Sequence, residues 1–140
     1  MNELDSTVTA YRFEPEAGNL HPFEVVSALP DTFIGHSRAA ESAVSSDGRF
    51  VYASNRGHDG IATLAVDPAS GRLARVGWTN SLGRTPRFFT LDPTGSSVVV
   101  ANEDSDIIAF EVDPRTGVLE RGREVARTGS SVCIVFATTA

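Results

Sequence analysis

Lysine is absent from this chain: all 12 basic residues are arginine. That absence excludes Schiff-base chemistry and a phosphate-loop lysine. Cysteine is nearly absent as well. The single Cys133 cannot close an intramolecular disulfide and leaves no cysteine-rich metal site. It lies in the apolar run Val132-Cys133-Ile134-Val135-Phe136 and reads as a small buried hydrophobe. Apolar runs last only a few residues, far short of a membrane span. Positive charge is in deficit, with 12 basic against 18 acidic residues and a net charge of -6, which argues against a phosphate-tracking surface for nucleic acid. The opening Met1-Asn2-Glu3-Leu4-Asp5 lacks the basic start and apolar stretch of a signal peptide, so a cytoplasmic location is expected. Sustained 3.6-residue apolar periodicity is missing too, and Gly or Pro interrupts every dozen residues or so.

What is present is repetition. Phe50-Val51-Tyr52-Ala53-Ser54-Asn55 aligns with Ser97-Val98-Val99-Val100-Ala101-Asn102 at a separation of 47 residues. Ile61–Pro68 aligns with Ile107–Pro114 at 46, and Val8–Pro15 supplies a third copy 53 residues earlier. The turns that follow agree: Glu14-Pro15-Glu16-Ala17-Gly18, Asp67-Pro68-Ala69-Ser70-Gly71 and Asp113-Pro114-Arg115-Thr116-Gly117, with Leu20, Leu73 and Leu119 each two residues later. Within the middle copy the Val, Ile, Phe, Tyr and Thr content predicts four short strands at 40–45, 49–55, 61–66 and 73–78. A period of 46 to 53 residues with four strands per unit indicates β-propeller blades.

The expected fold is therefore all-β: a partial propeller of four-stranded antiparallel blades in one domain over 1–140. Two outer strands (7–13 and 20–27) are followed by complete units at 40–78 and 86–125 and a lone inner strand at 131–136. A seven-bladed ring at this period needs about 330 residues, so a partial chain or an assembling subunit is expected. Open first and last strands would invite self-association through their edges.

Strand parity locates the variable face. In an antiparallel meander, the first-to-second and third-to-fourth turns share one end, and here those turns are stereotyped. The opposite end carries Asn55-Arg56-Gly57-His58-Asp59, Asn102-Glu103-Asp104-Ser105-Asp106, the 28–40 crossing, and 79–87 with Arg84 and Arg87. Variable loops on a repeated scaffold are where function is expected. Glu41 and Arg87 begin successive inner strands within one register position of each other, so both should open toward the central channel. Glu41 and Arg56 also have plainer readings, as an exposed strand-start residue and as a loop tie to backbone carbonyls. His58-Asp59 reads equally as a turn held by a side-chain-to-backbone bond. Asn2, Asn55 and Asn102 read as strand-end caps. Glu103, Asp104 and Asp106 match no calcium-loop spacing, and no metal or cofactor is expected. Gly35-His36-Ser37-Arg38-Ala39 has the lettering of a hydrolase nucleophile elbow, but a strand follows it where that motif requires a helix.

The stretch Ala39–Asp59 resembles the lactonase family of seven-bladed propellers, the 6-phosphogluconolactonase-like group. Thr85-Pro86-Arg87-Phe88-Phe89, Asn2–Val8 and Val132-Cys133-Ile134 are similar to that family as well, so the likeness covers nearly all 140 residues and corresponds to the family's C-terminal part. The resemblance implies hydrolysis of a sugar lactone, possessing a phosphate in the best-known case, with no nucleic-acid or membrane partner. It implies Glu41 as general base, Arg56 and Arg87 as ligands for substrate or oxyanion, and His58 as a secondary proton-transfer group. These residue types suit the reaction: attack by water on a carbonyl calls for a base, and the oxyanion and a phosphate call for fixed positive charge. The alternatives are a non-catalytic propeller that binds a partner through the same face, and an inactive fragment.

Overall fold

The computed structural model describes residues 1–104 and 106–137. Among the described residues ten strands follow in order: β1 (Thr7–Glu14), β2 (Asn19–Ser27), β3 (Arg38–Val44), β4 (Phe50–Arg56), β5 (Gly60–Val66), β6 (Leu73–Asn80), β7 (Pro86–Leu91), β8 (Ser97–Asn102), β9 (Asp106–Val112) and β10 (Leu119–Arg127). They form a β1-β2 ribbon and two four-stranded antiparallel meanders, β3-β4-β5-β6 and β7-β8-β9-β10. No helix among the described residues is long and apolar enough to cross a membrane. The expected strands and blade order are present, with one exception.

The exception is 131–136, expected as an inner strand: among the described residues this segment forms none. A strand needs a neighbour to complete its backbone hydrogen bonds, and no described strand pairs with this one. The reading of Cys133 falls with it, since the thiol is exposed rather than buried. Its neighbours Val135 and Phe136 are exposed too.

Turn chemistry explains the hairpins. In the Asp67 turn, Oδ1 accepts from the backbone N–H of Ala69 and Ser70 and from Ser70 Oγ. The Asp113 turn repeats the design with Arg115 and Thr116 N–H. These bonds hold both carboxyls below the ordinary aspartate range, Asp67 chiefly through the Ser70 hydroxyl and Asp113 through the Arg115 amide. The second turn ends at Gly117, whose φ of 72° favours glycine. A Cβ there would also lie 2.5 Å from the Phe50 ring of the preceding blade.

Apolar residues on the facing surfaces of neighbouring sheets make two cores. Phe50, Tyr52 and Ile61 from one blade meet Phe89, Val98, Val100, Ile108, Phe110 and Leu119 from the next. Val8 and Ala28 meet Ala53, Ala62 and Leu64 in the other, smaller core. Small residues dominate the second core, which lets the ribbon lie close against β4 and β5. Tyr52 and Phe89 meet edge to face at 6.5 Å, and the fully buried Tyr52 donates its hydroxyl proton to Gly117 O at 2.9 Å.

Polar cross-links fix the angle between blades. Asn55, at the end of β4, donates from Nδ2 to Ala28 O, the residue that follows the previous outer strand, at 2.9 Å. Asn102, at the end of β8, does the same to Ser81 O at 3.1 Å. The amides of those acceptor residues point back into their own blades, Ala28 N to Ser6 O and Ser81 N to Asp59 O, both at 2.9 Å. Both Asn side chains are fully buried. They are inter-blade latches, a more specific role than strand-end caps. Asn2 differs, donating to the hydroxyls of Thr7 and Thr9.

Removing a buried amide that satisfies a buried carbonyl costs about 1–3 kcal/mol. Asn102→Ala and Asn55→Ala should each lower the thermal midpoint by several degrees, at about 2–8 °C per kcal/mol. Asn19→Ala, at the exposed start of β2, should leave it nearly unchanged. Scanning calorimetry of the three variants checks the ordering, and equal midpoints would remove the latch from the account.

Candidate active site at the propeller mouth

Two irregularities in the inner strands create the site. In β3 the pairing jumps from Ala39↔Asn55 to Ser42↔Ala53, so Ala40 and Glu41 face the single residue Ser54. In β7 it jumps from Pro86↔Asn102 to Phe88↔Ala101, which leaves Arg87 unpaired. An extra residue in one strand re-aims the side chains around it. Both bulges lie at the mouth end of neighbouring inner strands, and Glu41 and Arg87 consequently line one cleft.

That cleft has a volume of about 460 Å³, and Glu3, Glu41, Arg56 and Arg87 supply its charged lining. The Glu41 backbone is fixed by donation from its N–H to Ser54 Oγ at 3.0 Å. Its carboxylate accepts at Oε1 from Ser42 N–H at 2.8 Å, and Oε2 has no partner among the described residues. Arg56 is mostly buried, with 17% of its side chain exposed. Its Nη2 donates to Glu3 Oε1 at 2.6 Å and to Ala39 O at 3.3 Å. Arg87 is exposed and forms no ion pair among the described residues. A carboxylate with one free oxygen thus shares a cleft with two guanidinium groups.

Asp59 joins the loops that carry the two arginines. Its Oδ1 accepts from Gly57 N–H at 3.0 Å and from Thr85 N–H at 2.9 Å. Both Asp59 and Thr85 take positive φ, 54° and 58°, and Thr85 does so directly before Pro86. Such conformations persist only where surrounding bonds enforce them. The side-chain-to-backbone turn expected at His58-Asp59 is present, with the added reach to the next blade.

His58 lies apart from the cleft lining. Its ring packs edge-on against Phe33 at 5.2 Å, and its Nδ1 is buried without a partner. Burial depresses the imidazole pKa, with the neighbouring Asp59 charge opposing. Of the four expected site residues, the fold brings Glu41, Arg56 and Arg87 together and leaves His58 behind them. Two participants were missed from sequence, Glu3 and Ser54. Glu3 belongs to the segment that meets β3 through the bond from Ala39 N to Glu3 O, a non-local contact with no local signal. Ser54 occupies the second-strand position just before the repeated asparagine, which could have pointed to it.

Comparisons with known proteins follow the same line. The family model described as "Lactonase, 7-bladed beta-propeller" matches residues 1–136. A protein named 6-phosphogluconolactonase from Bacillus subtilis (strain 168) is 40% identical over 137 residues, covering 97% of this chain and 39% of that protein. The structure of a protein from Lactobacillus plantarum matches with a TM-score of 0.88 at 32% identity, over 94% of this chain and 38% of that one. The Pseudomonas aeruginosa periplasmic gluconolactonase matches with a TM-score of 0.83 at 35% identity, over 91% and 36%. The chain thus spans about two fifths of the length of these relatives. With its blades, register and mouth cleft in place, this chain belongs to the seven-bladed β-propeller lactonase family.

Proposed function

We propose that the propeller containing this chain hydrolyses a sugar lactone, 6-phosphogluconolactone in the reading closest to its Bacillus subtilis relative. The observation that carries the proposal is the bulge-directed convergence of Glu41, Arg56 and Arg87 on one cleft. A binding module needs no carboxylate held by one oxygen with the other left free. In the proposed reaction, water adds to the lactone carbonyl while Glu41 Oε2 takes its proton. The carbonyl oxygen becomes an oxyanion, and Arg87 supplies fixed positive charge to it. Collapse of this intermediate breaks the bond to the ring oxygen. That oxygen recovers the proton from Glu41 and leaves as a hydroxyl, so the product is an open-chain hydroxy acid. Arg56, anchored by Glu3 and Ala39 O, orients the substrate.

His58 is assigned to packing rather than proton transfer, because it lies outside the cleft lining and its Nδ1 is enclosed. Its role then belongs to stability. The folded-state pKa is depressed below the ordinary value near 6.5. Protonation therefore favours the unfolded chain: the contribution of neutral His58 is fully present above about pH 6.5 and is lost as pH falls below it.

Two measurements test these assignments. Lactone opening by the purified propeller, corrected for spontaneous hydrolysis, should fall by about tenfold or more in Glu41→Gln and in Arg87→Ala. Rates equal to the parent would remove both assignments. Separately, lowering the pH from about 7.5 to about 5.5 should reduce the thermal midpoint, and His58→Gln should flatten that part of the profile. An unaltered slope in the variant would show that His58 is not the titrating group.

A further inference from the structure

A second cleft opens at the mouth beside the first, about 510 Å³ in volume and lined by Leu4, His36, Ser37, Arg38, Arg56, Gly57 and Thr85. Arg56 lines both clefts. The second has a different chemistry: no carboxylate lines it, and the two carboxylates bonded to its walls, Glu3 at Arg56 Nη2 and Asp59 at the Gly57 and Thr85 amides, leave Arg38 unanswered. Arg38 and Arg56 face each other directly across the β3–β4 pair, where side chains of opposed residues lie on the same face. Like charges in that position repel. Glu3 answers one of them, at Arg56 Nη2. Arg38 has no carboxylate within ion-pair distance among the described residues.

Further donors are left open around this pair. Arg56 Nη1 has no acceptor among the described residues. Ser37 Oγ and Arg56 Nε are buried with no partner. The backbone also draws the two walls together at this point. Gly57 takes φ 96°, and a Cβ there would lie 2.2 Å from His36 O, so only glycine allows the 36–38 segment to approach the end of β4 so closely.

We propose that this second cleft is an anion subsite in which Arg38 and Arg56 together bind the phosphate group of the substrate. An anion placed there relieves the cross-strand repulsion and accepts from planar guanidinium groups, which suit phosphate better than an ammonium does. Because Arg56 belongs to both clefts, one ligand can present its lactone carbonyl to Glu41 and Arg87 and its phosphate to Arg38. The substrate class is then a phosphorylated sugar lactone, and Arg38 sets the preference for it over the unphosphorylated lactone. This assignment to substrate rests on the lactonase reading, whereas the anion site itself does not.

The test uses the propeller containing this chain with inorganic phosphate as the probe, followed by titration calorimetry. Phosphate should bind the parent, and Arg38→Ala should weaken it by about tenfold or more. Arg38→Lys should retain part of the affinity as a point charge, and the thermal midpoint of each variant checks that it folds. With lactones, the ratio of kcat/KM for the phosphorylated over the unphosphorylated substrate should fall by about tenfold in Arg38→Ala, carried mainly by KM. Equal phosphate affinity in parent and Arg38→Ala, or no binding to either, overturns the proposal whatever the lactone rates. An unaltered lactone ratio overturns the assignment to substrate phosphate. Phosphate binding that depends on Arg38 in a protein that opens neither lactone would uphold the anion site and reject the lactonase reading.

Discussion

The architecture depends on a buried carbonyl just past each of the outer strands β2 and β6. Ala28 and Ser81 stand where the chain leaves one blade for the next. Their amides are satisfied inside the blade they leave, and their carbonyls accept from the asparagine that ends the second strand of the blade they enter. An unpaired carbonyl at such a depth costs free energy comparable to a lost hydrogen bond. The asparagine meets that cost at Ser81 O, and shares it with a second donor at Ala28 O, only when the blades sit at one angle. Ala28 O also accepts from Trp78 Nε1 at 2.9 Å, which fixes the same carbonyl from the outer strand. Apolar packing between the sheets is broad and tolerant of small shifts, whereas these bonds are directional.

With the blade angle set, the mouth acquires its shape from departures rather than from regularity. A strand without bulges alternates its side chains between the two faces of the sheet. The extra residue at Ala40-Glu41 and at Arg87 disturbs that alternation at the rim of neighbouring strands. Asp59 then ties the Arg56 loop to the approach to Arg87 through two backbone amides. Strain at Asp59 and Thr85 is held in place by those bonds. The scaffold is repetitive, and the charged lining of the cleft is concentrated where the repetition is interrupted.

The charge pattern of the chain acquires meaning at this rim. A protein with net charge -6 nevertheless gathers Arg38, Arg56 and Arg87 around two adjoining clefts, with Glu3 and Glu41 beside them. Most other arginines are spent on carboxylate partners, several of them exposed, among them Arg49 with Asp47, Arg75 with Asp31 and Arg121 with Glu111. Exposed pairs of this kind contribute little to stability. The arginines without a carboxylate partner are the informative ones, because an uncompensated positive group beside a cleft is available to an anion.

The blade repeat, the strands and the stereotyped turns were legible in the amino-acid sequence, because alternating β-formers and Asp-Pro-x-x-Gly turns are local signals that each repeat restates. The grouping of Glu41 with Arg56 and Arg87 was legible for the same reason: strand parity assigns loops to ends. The bulges were not, since an extra residue shows itself only against its partner strand. The expected inner strand at 131–136 and the burial of Cys133 failed on that point too, because an apolar segment becomes a strand only where another strand receives it. His58 was near the site in sequence and outside its lining in space, turned by its loop against Phe33. Local composition determined which segments are strands and which end carries the charged clefts. Tertiary structure alone decided which side chains meet, because pairing register, ion pairs such as Arg56 with Glu3, and the opposition of Arg38 to Arg56 are set by contacts between residues far apart in the chain.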